Sequence, residues 1–282
     1  MTKKLFALLA TLCFLLTGCG SQSGEQTSKP DKKKTTIGVI SHLNASEEAY
    51  NELMSKLEKS YRPSKANLTV NFKYFNRMSD MLAALNAGQI DMMSTYNCVA
   101  NYIVRRNDGL EMLTSERKLH DSFCFAVRED DKTLLDELNR AIKEMSTDDT
   151  LSKLTKQYIT DLNFDAEPPA VPITHIDGAD TIKVAVTGDL PPFDLILADG
   201  KPAGFSTAVL AEISRRLGKN IELVNVDSGA RATILSSKGA DVVFWVSVPK
   251  DSNLIPADVD KPAGVAISDP YFGDEIVHVA KK

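Results

Sequence analysis

The side chains that most often carry out catalysis or hold metal ions are few and scattered. The chain has four histidines, and none of them stands at a spacing from a cysteine or an acid that predicts a metal site or a catalytic dyad. These histidines are His42, His120, His175 and His278. The one catalytic alternative that the composition leaves open is a pair in which Cys98 is the nucleophile and His120 is the base. The sequence therefore predicts a protein that is not an enzyme and that uses no cofactor and no metal.

Two residues in the C-terminal half have side chains suited to holding a small organic anion. The guanidinium of Arg231 is a planar fork of five N–H donors, which matches a carboxylate with two parallel hydrogen bonds. Trp245, the only tryptophan, lies near the end of a predicted strand, where it would stack on a ligand or close one side of a cleft. The alternatives are an arginine on a helix surface and an aromatic residue of the core.

Polar residues next to predicted strand ends and helix starts are further binding candidates. Thr187 and Asp189 follow a predicted strand, where they would contact a polar group and an ammonium; Asp189 would serve equally well to stabilise the turn. The remaining candidates are Asn44, Ser46, Tyr96, Asn97 and Ser247. The alternative for those at a helix start is a capping role, and for those after a strand it is local packing.

The first residues have the pattern of a targeting segment. Two lysines precede an apolar run at 5–16 that is too short to cross a bilayer. The run ends in Leu16-Thr17-Gly18-Cys19, which resembles the lipobox of bacterial lipoproteins. We therefore expect a signal peptide at 1–18, lipidation of Cys19 as a membrane anchor, and a flexible tether at 19–34. The alternative is an ordinary secretory signal with an incidental cysteine.

Two cysteines, Cys98 and Cys124, remain once the signal is removed and Cys19 is lipidated. An exported location permits a disulfide between them, and two buried thiols are an equal alternative. The net charge of −5 gives no indication of a nucleic-acid partner.

Strands alternate with helices through the rest of the chain, which predicts an α/β fold with a mainly parallel sheet. The first unit spans 35–165, and in it Ser79 is predicted to cap a short helix that Gly88 ends. Residues 166–180 are rich in proline and form the predicted linker. The second unit spans 181–282.

Several short motifs carry a resemblance to a known family. The second unit contains Val186-Thr187-Gly188-Asp189-Leu190-Pro191-Pro192-Phe193, and the first contains Ser79-Asp80-Met81-Leu82-Ala83-Ala84-Leu85. With Asp199–Phe205, Asp241–Val243 and Ser268–Phe272, these resemble the bacterial extracellular solute-binding proteins of the amino-acid type, the receptors of ABC importers. The resemblance covers nearly everything from 35 to 279.

The resemblance implies a type II periplasmic-binding-protein-like fold, with two lobes that close on a ligand about a hinge. The lobes stand in reversed order, as in a circular permutation; two truncated modules fused together are the alternative. Helix N-termini at the cleft should present N–H groups that suit a carboxylate. The family's ligand arginine is missing from Ser247–Ser252, and Tyr96 and Leu190 replace its aspartate and stacking aromatic. Arg231 stands where the family has an apolar residue facing the cleft.

The resemblance implies a monomeric, lipid-anchored receptor outside the cytoplasmic membrane that delivers a small, carboxylate-bearing, amino acid-like ligand to an ABC permease. The alternatives are a sensor for a separate signalling partner and an enzyme of the same fold that eliminates water from a bound acid.

Overall fold

The computed structural model describes residues 34–41, 69–113, 119–250 and 261–282. The predicted signal at 1–18 with Cys19, and the candidates Asn44 and Ser46, lie outside these ranges. Lys34, predicted to end the tether, begins the first strand instead.

Runs rich in β-branched and aromatic residues form the strands of the described chain. These strands are β1 Lys34–Ile40, β2 Thr69–Phe75, β3 Met92–Tyr96, β4 Leu110–Leu113, β5 Leu119–Arg128, β6 Thr181–Val186, β7 Asp189–Leu190, β8 Asp194–Ile196, β9 Pro202–Ala203, β10 Asn220–Asn225, β11 Val242–Pro249, β12 Val265–Ile267 and β13 Phe272–Lys281.

Helices follow many of these strands. The α-helices are α1 Met78–Asn86, α2 Asn97–Arg105, α3 Lys132–Thr147, α4 Thr150–Thr155, α5 Phe205–Leu217 and α6 Arg231–Ser236. A π-turn at Lys156–Thr160 extends α4, and a 3-10 turn at Ser228–Ala230 precedes α6. Helix α3 shows why they form: Leu134, Leu138 and Ile142 recur on one buried face, and Asp131 caps its start by accepting from Leu134 N. The predicted α/β class is confirmed.

Ten of the described strands form one sheet, with the order β10-β6-β11-β5-β13-β3-β1-β2 along its main path. Parallel pairing is confined to the two ends, in β10-β6-β11 and in β3-β1-β2. The middle strands, β5 and β13, pair antiparallel with each other and with their outer neighbours. The prediction of a mainly parallel sheet was therefore wrong for the centre, because a long strand from each half of the chain returns there.

The two predicted units exchange these central strands. Strand β5 comes from the first unit, 35–165, yet it lies between β11 and β13 of the second unit. Strand β13 comes from the second unit, 181–282, and pairs with β3 and β4 of the first. Each half therefore completes part of its sheet with a strand from the other half. The domain boundaries and the circular permutation remain predictions.

The proline-rich segment between the halves lies against the second half. Ala170 forms a β-bridge with Ala203, and Val171 N donates to Pro202 O at 2.8 Å. Val171 is buried in the core. This part of the predicted linker, 166–180, is therefore a packed element rather than a spacer.

Cys98 and Cys124 are both buried and are not joined by a disulfide. Burial raises the pKa of the Cys98 thiol, with the neighbouring Asp274 adding to the shift. Burial also raises the pKa of Cys124, to about 12. Of the two alternatives that the sequence left open, the structure has the buried thiols. Within the described ranges no helix is long and apolar enough to cross a membrane.

Candidate functional site

Four aromatic rings from both halves of the chain meet above the centre of the sheet. Tyr96 ends β3 and Phe123 lies on β5, and their ring centroids are 4.6 Å apart. Phe193 follows β7 and lies 4.9 Å from Phe123. Trp245, on β11, lies 6.3 Å from Tyr96 and 6.2 Å from Phe123. We call these four residues the aromatic cluster; it brings together the predicted site residues Tyr96 and Trp245.

Arg231, the first residue of α6, is buried beside this cluster with 1% of its surface exposed. Its guanidinium carbon lies 4.4 Å from the centre of the Trp245 ring, within the range of a cation–π contact. Nη1 donates to Trp245 O at 2.9 Å and Nε donates to Ser228 O at 3.1 Å. Nη2 donates to Ser41 O, at the end of β1, at 3.2 Å. Arg231 therefore joins the two halves of the chain and is not a surface arginine.

Asp189 contacts the start of α1 across the two halves. Its Oδ2 accepts from Ser79 N at 3.4 Å and from Ser79 Oγ at 3.3 Å, and Arg77 Nε lies 3.6 Å away. Burial raises the pKa of the Asp189 carboxyl, while the Ser79 hydrogen bonds and the Arg77 charge oppose the shift. The helix begins after Arg77, so the predicted capping role of Ser79 was wrong.

Thr187 and Gly188 enclose a second carboxylate, that of the fully buried Asp194. Thr187 N, Thr187 Oγ1 and Gly188 N all donate to Asp194 Oδ2, at 2.7, 3.0 and 2.8 Å. Burial raises the pKa of Asp194 to about 6, and these hydrogen bonds oppose the rise. The hydroxyl proton of Thr187, a predicted ligand contact, is thus engaged within its own turn. Asp194 fixes the shape of the turn that carries Asp189.

The polar groups around β3 and α2 are also paired. Tyr96 Oη donates to Asp121 Oδ2 at 3.1 Å, and Asp121 is buried. The predicted site residue Asn97 accepts from Asn101 Nδ2 at 3.2 Å. Cys98 N donates to Asp274 Oδ2 at 2.8 Å.

The N-termini of α1 and α2 are therefore both occupied by carboxylates of the second half, those of Asp189 and Asp274. Each of these two helix starts therefore has one backbone N–H, that of Ser79 or that of Cys98, engaged by a carboxylate. The expectation that helix starts at the cleft present N–H groups to a ligand remains a prediction. Neither helix has a side-chain cap of its own, so backbone N–H groups of the first turn donate instead to carboxylates of the other half.

The structure brings Arg231, Trp245 and Tyr96 together, and it places Ser247 opposite Phe123 in the β5-β11 ladder, beside the cluster. It places Thr187 and Asp189 in one turn. The carboxylate of Asp189 faces α1, and the carboxylate of Asp194 is buried beneath the turn, where Thr187 donates to it. Sequence reasoning missed Asp121 and Asp194. The sequence does show an acidic residue near the start of an apolar strand, in Asp121-Ser122-Phe123. An acidic residue at such a position does not by itself show that its side chain is buried or which residue it pairs with.

The described residues contain no group of three or more His, Cys, Asp or Glu side chains arranged to hold a metal ion.

The chain matches the family model described as bacterial extracellular solute-binding proteins, family 3, over residues 52–161 and 182–252, more than half of its length. It is 26% identical over 142 residues to the L-cystine-binding protein TcyA of Bacillus subtilis (strain 168), a match that covers 45% of this chain and 51% of that protein. The chain thus spans about half the length of this curated relative.

Two solved structures are similar at low sequence identity. One is the zinc-bound ligand-binding component of an ABC-type import system from Staphylococcus aureus, with a TM-score of 0.44, 14% identity, and coverage of 88% of this chain and 66% of that one. The other is a putative L-cystine ABC transporter protein from Listeria monocytogenes, with a TM-score of 0.40, 12% identity, and coverage of 89% and 83%. The sequence match to the family model carries the family assignment.

Proposed function

Because this chain belongs to the bacterial extracellular solute-binding proteins of family 3, we propose that it binds a small, carboxylate-bearing, amino acid-like solute. The solute is held between the two halves by hinge closure and is delivered to an ABC permease. The protein acts outside the cytoplasmic membrane as a monomer, anchored through lipid on Cys19.

One observation carries this proposal: a buried arginine, stacked on a tryptophan, lies where the two halves of the chain meet. A positive charge in a site of low polarity favours a negatively charged partner, and a guanidinium binds a carboxylate with two parallel hydrogen bonds. In this role Arg231 exchanges its 3.2 Å contact with Ser41 O for the carboxylate of the solute. Such an exchange would couple solute binding to the position of one half against the other.

The other candidates provide contacts from both sides. Tyr96 and Asn97 contact the solute from the first half, with Asn44 and Ser46 completing that side. Thr187, Asp189 and Ser247 contact it from the second half, and Trp245 forms one wall. Asp189 binds an ammonium group only if its carboxylate turns partly away from Ser79, which it contacts at 3.3 Å.

The test is a thermal-shift screen of the full chain against the common L-amino acids, L-cystine, dipeptides and small organic acids. L-cystine is included because the curated relative is named for it. A solute at 100 times its dissociation constant should stabilise the protein by about 2.7 kcal/mol, which produces a measurable shift. If no solute in these classes stabilises the protein, the proposal is wrong.

Arg231→Lys then tests the clamp, because lysine keeps the charge but loses the planar fork. We expect the affinity for the solute found in the screen to fall by about tenfold or more, measured by isothermal titration calorimetry. A smaller loss would remove Arg231 from the binding site while leaving the receptor function intact. Anchoring is tested separately, since Cys19→Ser should release the protein from the membrane fraction.

A further inference from the structure

Trp245 has an unusual backbone conformation for a bulky residue. Its φ is +35°, and it lies at an irregularity of the β11-β5 ladder, between the pairs of Val243 and Val246. Residues other than glycine rarely adopt positive φ, and for a bulky residue this backbone conformation is strained. The bulge turns the Trp245 carbonyl toward Arg231, which donates to it at 2.9 Å.

The indole of Trp245 carries a second cost. Its side chain is buried, with 6% of the residue exposed, and Nε1 has no hydrogen-bond partner anywhere in the described part of the chain. A buried donor without an acceptor is unfavourable, and native proteins rarely retain one without a reason. Phenylalanine would fill much of the same space without this donor. The retention of an indole here therefore suggests that an acceptor reaches Nε1 in another state of the protein.

The surroundings of the ring indicate what that acceptor is. The Arg231 guanidinium lies 4.4 Å from the ring centre, and the rings of Tyr96 and Phe123 lie 6.3 and 6.2 Å away. A positive charge beside an N–H donor makes the region favourable for an oxygen acceptor that carries negative charge. The aromatic rings exclude water, which strengthens such a hydrogen bond.

We propose that Trp245 determines solute specificity through its indole N–H, which donates a hydrogen bond to an oxygen acceptor of the bound solute beside Arg231. This inference rests on the proposed receptor function. It adds a hydrogen-bond donor that selects the solute, whereas the proposed function used Trp245 only as a wall of the binding site. A solute that lacks an oxygen acceptor at this position leaves the N–H unpaired and is rejected for that reason.

The experiment compares Trp245→Phe with a control variant, Ser206→Ala. Ser206 is buried, and its hydroxyl lies beside that of Tyr271 without the geometry of a hydrogen bond. Both variants therefore remove a buried polar group that has no partner among the described residues, but only the first removes the proposed donor. The probes are the solutes of the thermal-shift screen, namely the common L-amino acids, L-cystine, dipeptides and small organic acids, and each is titrated by calorimetry into the wild-type protein and both variants.

We expect Trp245→Phe to weaken the affinity for the solute that the wild type binds by about tenfold or more, and Ser206→Ala to change it by less than about threefold. A second readout does not depend on packing. Because Trp245 is the only tryptophan, its indole N–H gives a single tryptophan signal in a ¹H–¹⁵N spectrum of the wild type, and that signal should shift downfield when the solute is added.

The outcomes separate the two proposals. If the wild type binds a solute but Trp245→Phe binds it equally well, or the indole signal does not move, the donor role is wrong and the receptor function stands. If both variants lose affinity alike, the effect is one of core packing and the donor role is again wrong. If the wild type binds none of the probes, the receptor proposal fails, and the inference built on it fails too.

Discussion

The carboxylate of Asp189 accepts hydrogen bonds from both the backbone N–H and the hydroxyl of Ser79, which lies 110 residues earlier in the chain. Ser79 is in the first turn of α1, and that helix has no side-chain cap of its own. Asp274 does the same for α2 by accepting from Cys98 N. In each of two helices of the first half, one backbone N–H of the first turn thus donates to an acid of the second half, whose negative charge also interacts favourably with the helix dipole. This relationship makes the stability of each half depend on the presence of the other.

The first prediction tests this capping across the halves. Asp189→Ala should lower the free energy of unfolding by about 1 kcal/mol, because α1 loses its capping carboxylate. The measurement is urea denaturation at pH 7 of the wild type, Asp189→Ala, Ser79→Ala and the double variant, from which a coupling energy follows. Asp199→Ala is the control, since within the described residues that exposed carboxylate accepts hydrogen bonds from Lys201, in its own turn, and from no other residue. Strictly additive single effects would contradict the direct contact.

Ser79 also shows where sequence reasoning works and where it fails. The short helix near it was predicted, and its end before Gly88 is confirmed by the positive φ of that glycine. The cap was assigned to Ser79 because serine is a preferred N-cap and the pattern rule looks only a few residues ahead. The true capping group is a carboxylate from the other half. Local rules therefore locate the helix but cannot identify a partner that only the tertiary fold brings near.

The second prediction concerns the pH dependence of stability through Asp194. Burial raises its pKa from 3.8 to about 6, so the folded protein holds this proton more tightly than the unfolded chain does. The resulting stabilisation is fully present below pH 3.8 and is lost as the pH rises through about 6, a change of at most about 3 kcal/mol. Asp194→Asn stays neutral, and its amide oxygen still accepts from Thr187 and Gly188.

We therefore expect Asp194→Asn to be more stable than the wild type at pH 7 and nearly equal to it at pH 4. Urea denaturation at intervals between these pH values gives the difference, in which the titration of groups that do not interact with Asp194 cancels. Asp189 does interact with it, because its charge adds to the rise in the pKa of Asp194. A variant that is less stable at pH 7 would show that hydrogen bonds to the ionised carboxylate outweigh its burial.

The third prediction concerns Gly204, where α5 begins against the Pro192–Phe193 turn. Its φ is +101°, and a Cβ built there would lie 2.4 Å from Phe193 O and 2.8 Å from Pro192 O. Backbone atoms cannot move aside easily, since Phe205 N and Ser206 N donate to these same two carbonyls. Gly204→Ala should therefore lower the free energy of unfolding by about 3 kcal/mol or more, measured by urea denaturation.

Gly200→Ala is the matched control for Gly204→Ala. Its φ is +82°, but a Cβ there has no neighbour within 4 Å. Only the conformational cost applies, so the expected loss is on the order of 1 kcal/mol. Equal losses in the two variants would mean that the turn moves to accept the extra atom.

Gly200 and Gly204 both lie in the segment between β8 and α5, and both have positive φ. What the sequence did not reveal is that one of them also contacts a second turn. The same limit applies to the sheet: the alternation of strands with helices was predicted, but the return of β5 and β13 to opposite halves was not. Pairing between strands that are more than a hundred residues apart leaves no local pattern. Asp121 and Tyr96 are only 25 residues apart, but they lie on β5 and β3, which β13 separates in the sheet, and so their contact was missed as well.

The last prediction separates the contribution of Arg231 to the stability of the fold from its proposed role in solute binding. Among the described residues, its guanidinium donates to three carbonyls, those of Ser41, Ser228 and Trp245. A lysine ammonium cannot reach all three in the same plane, so Arg231→Lys leaves buried carbonyls unpaired and should lower the free energy of unfolding by about 1–3 kcal/mol. Arg215→Lys is the control: that exposed arginine pairs only with Glu212 among the described ion pairs of its side chain, and surface pairs contribute little. Urea denaturation in solute-free buffer measures both. If the two variants lose equal stability, the carbonyl contacts of Arg231 contribute no more to the stability of the fold than a surface ion pair does.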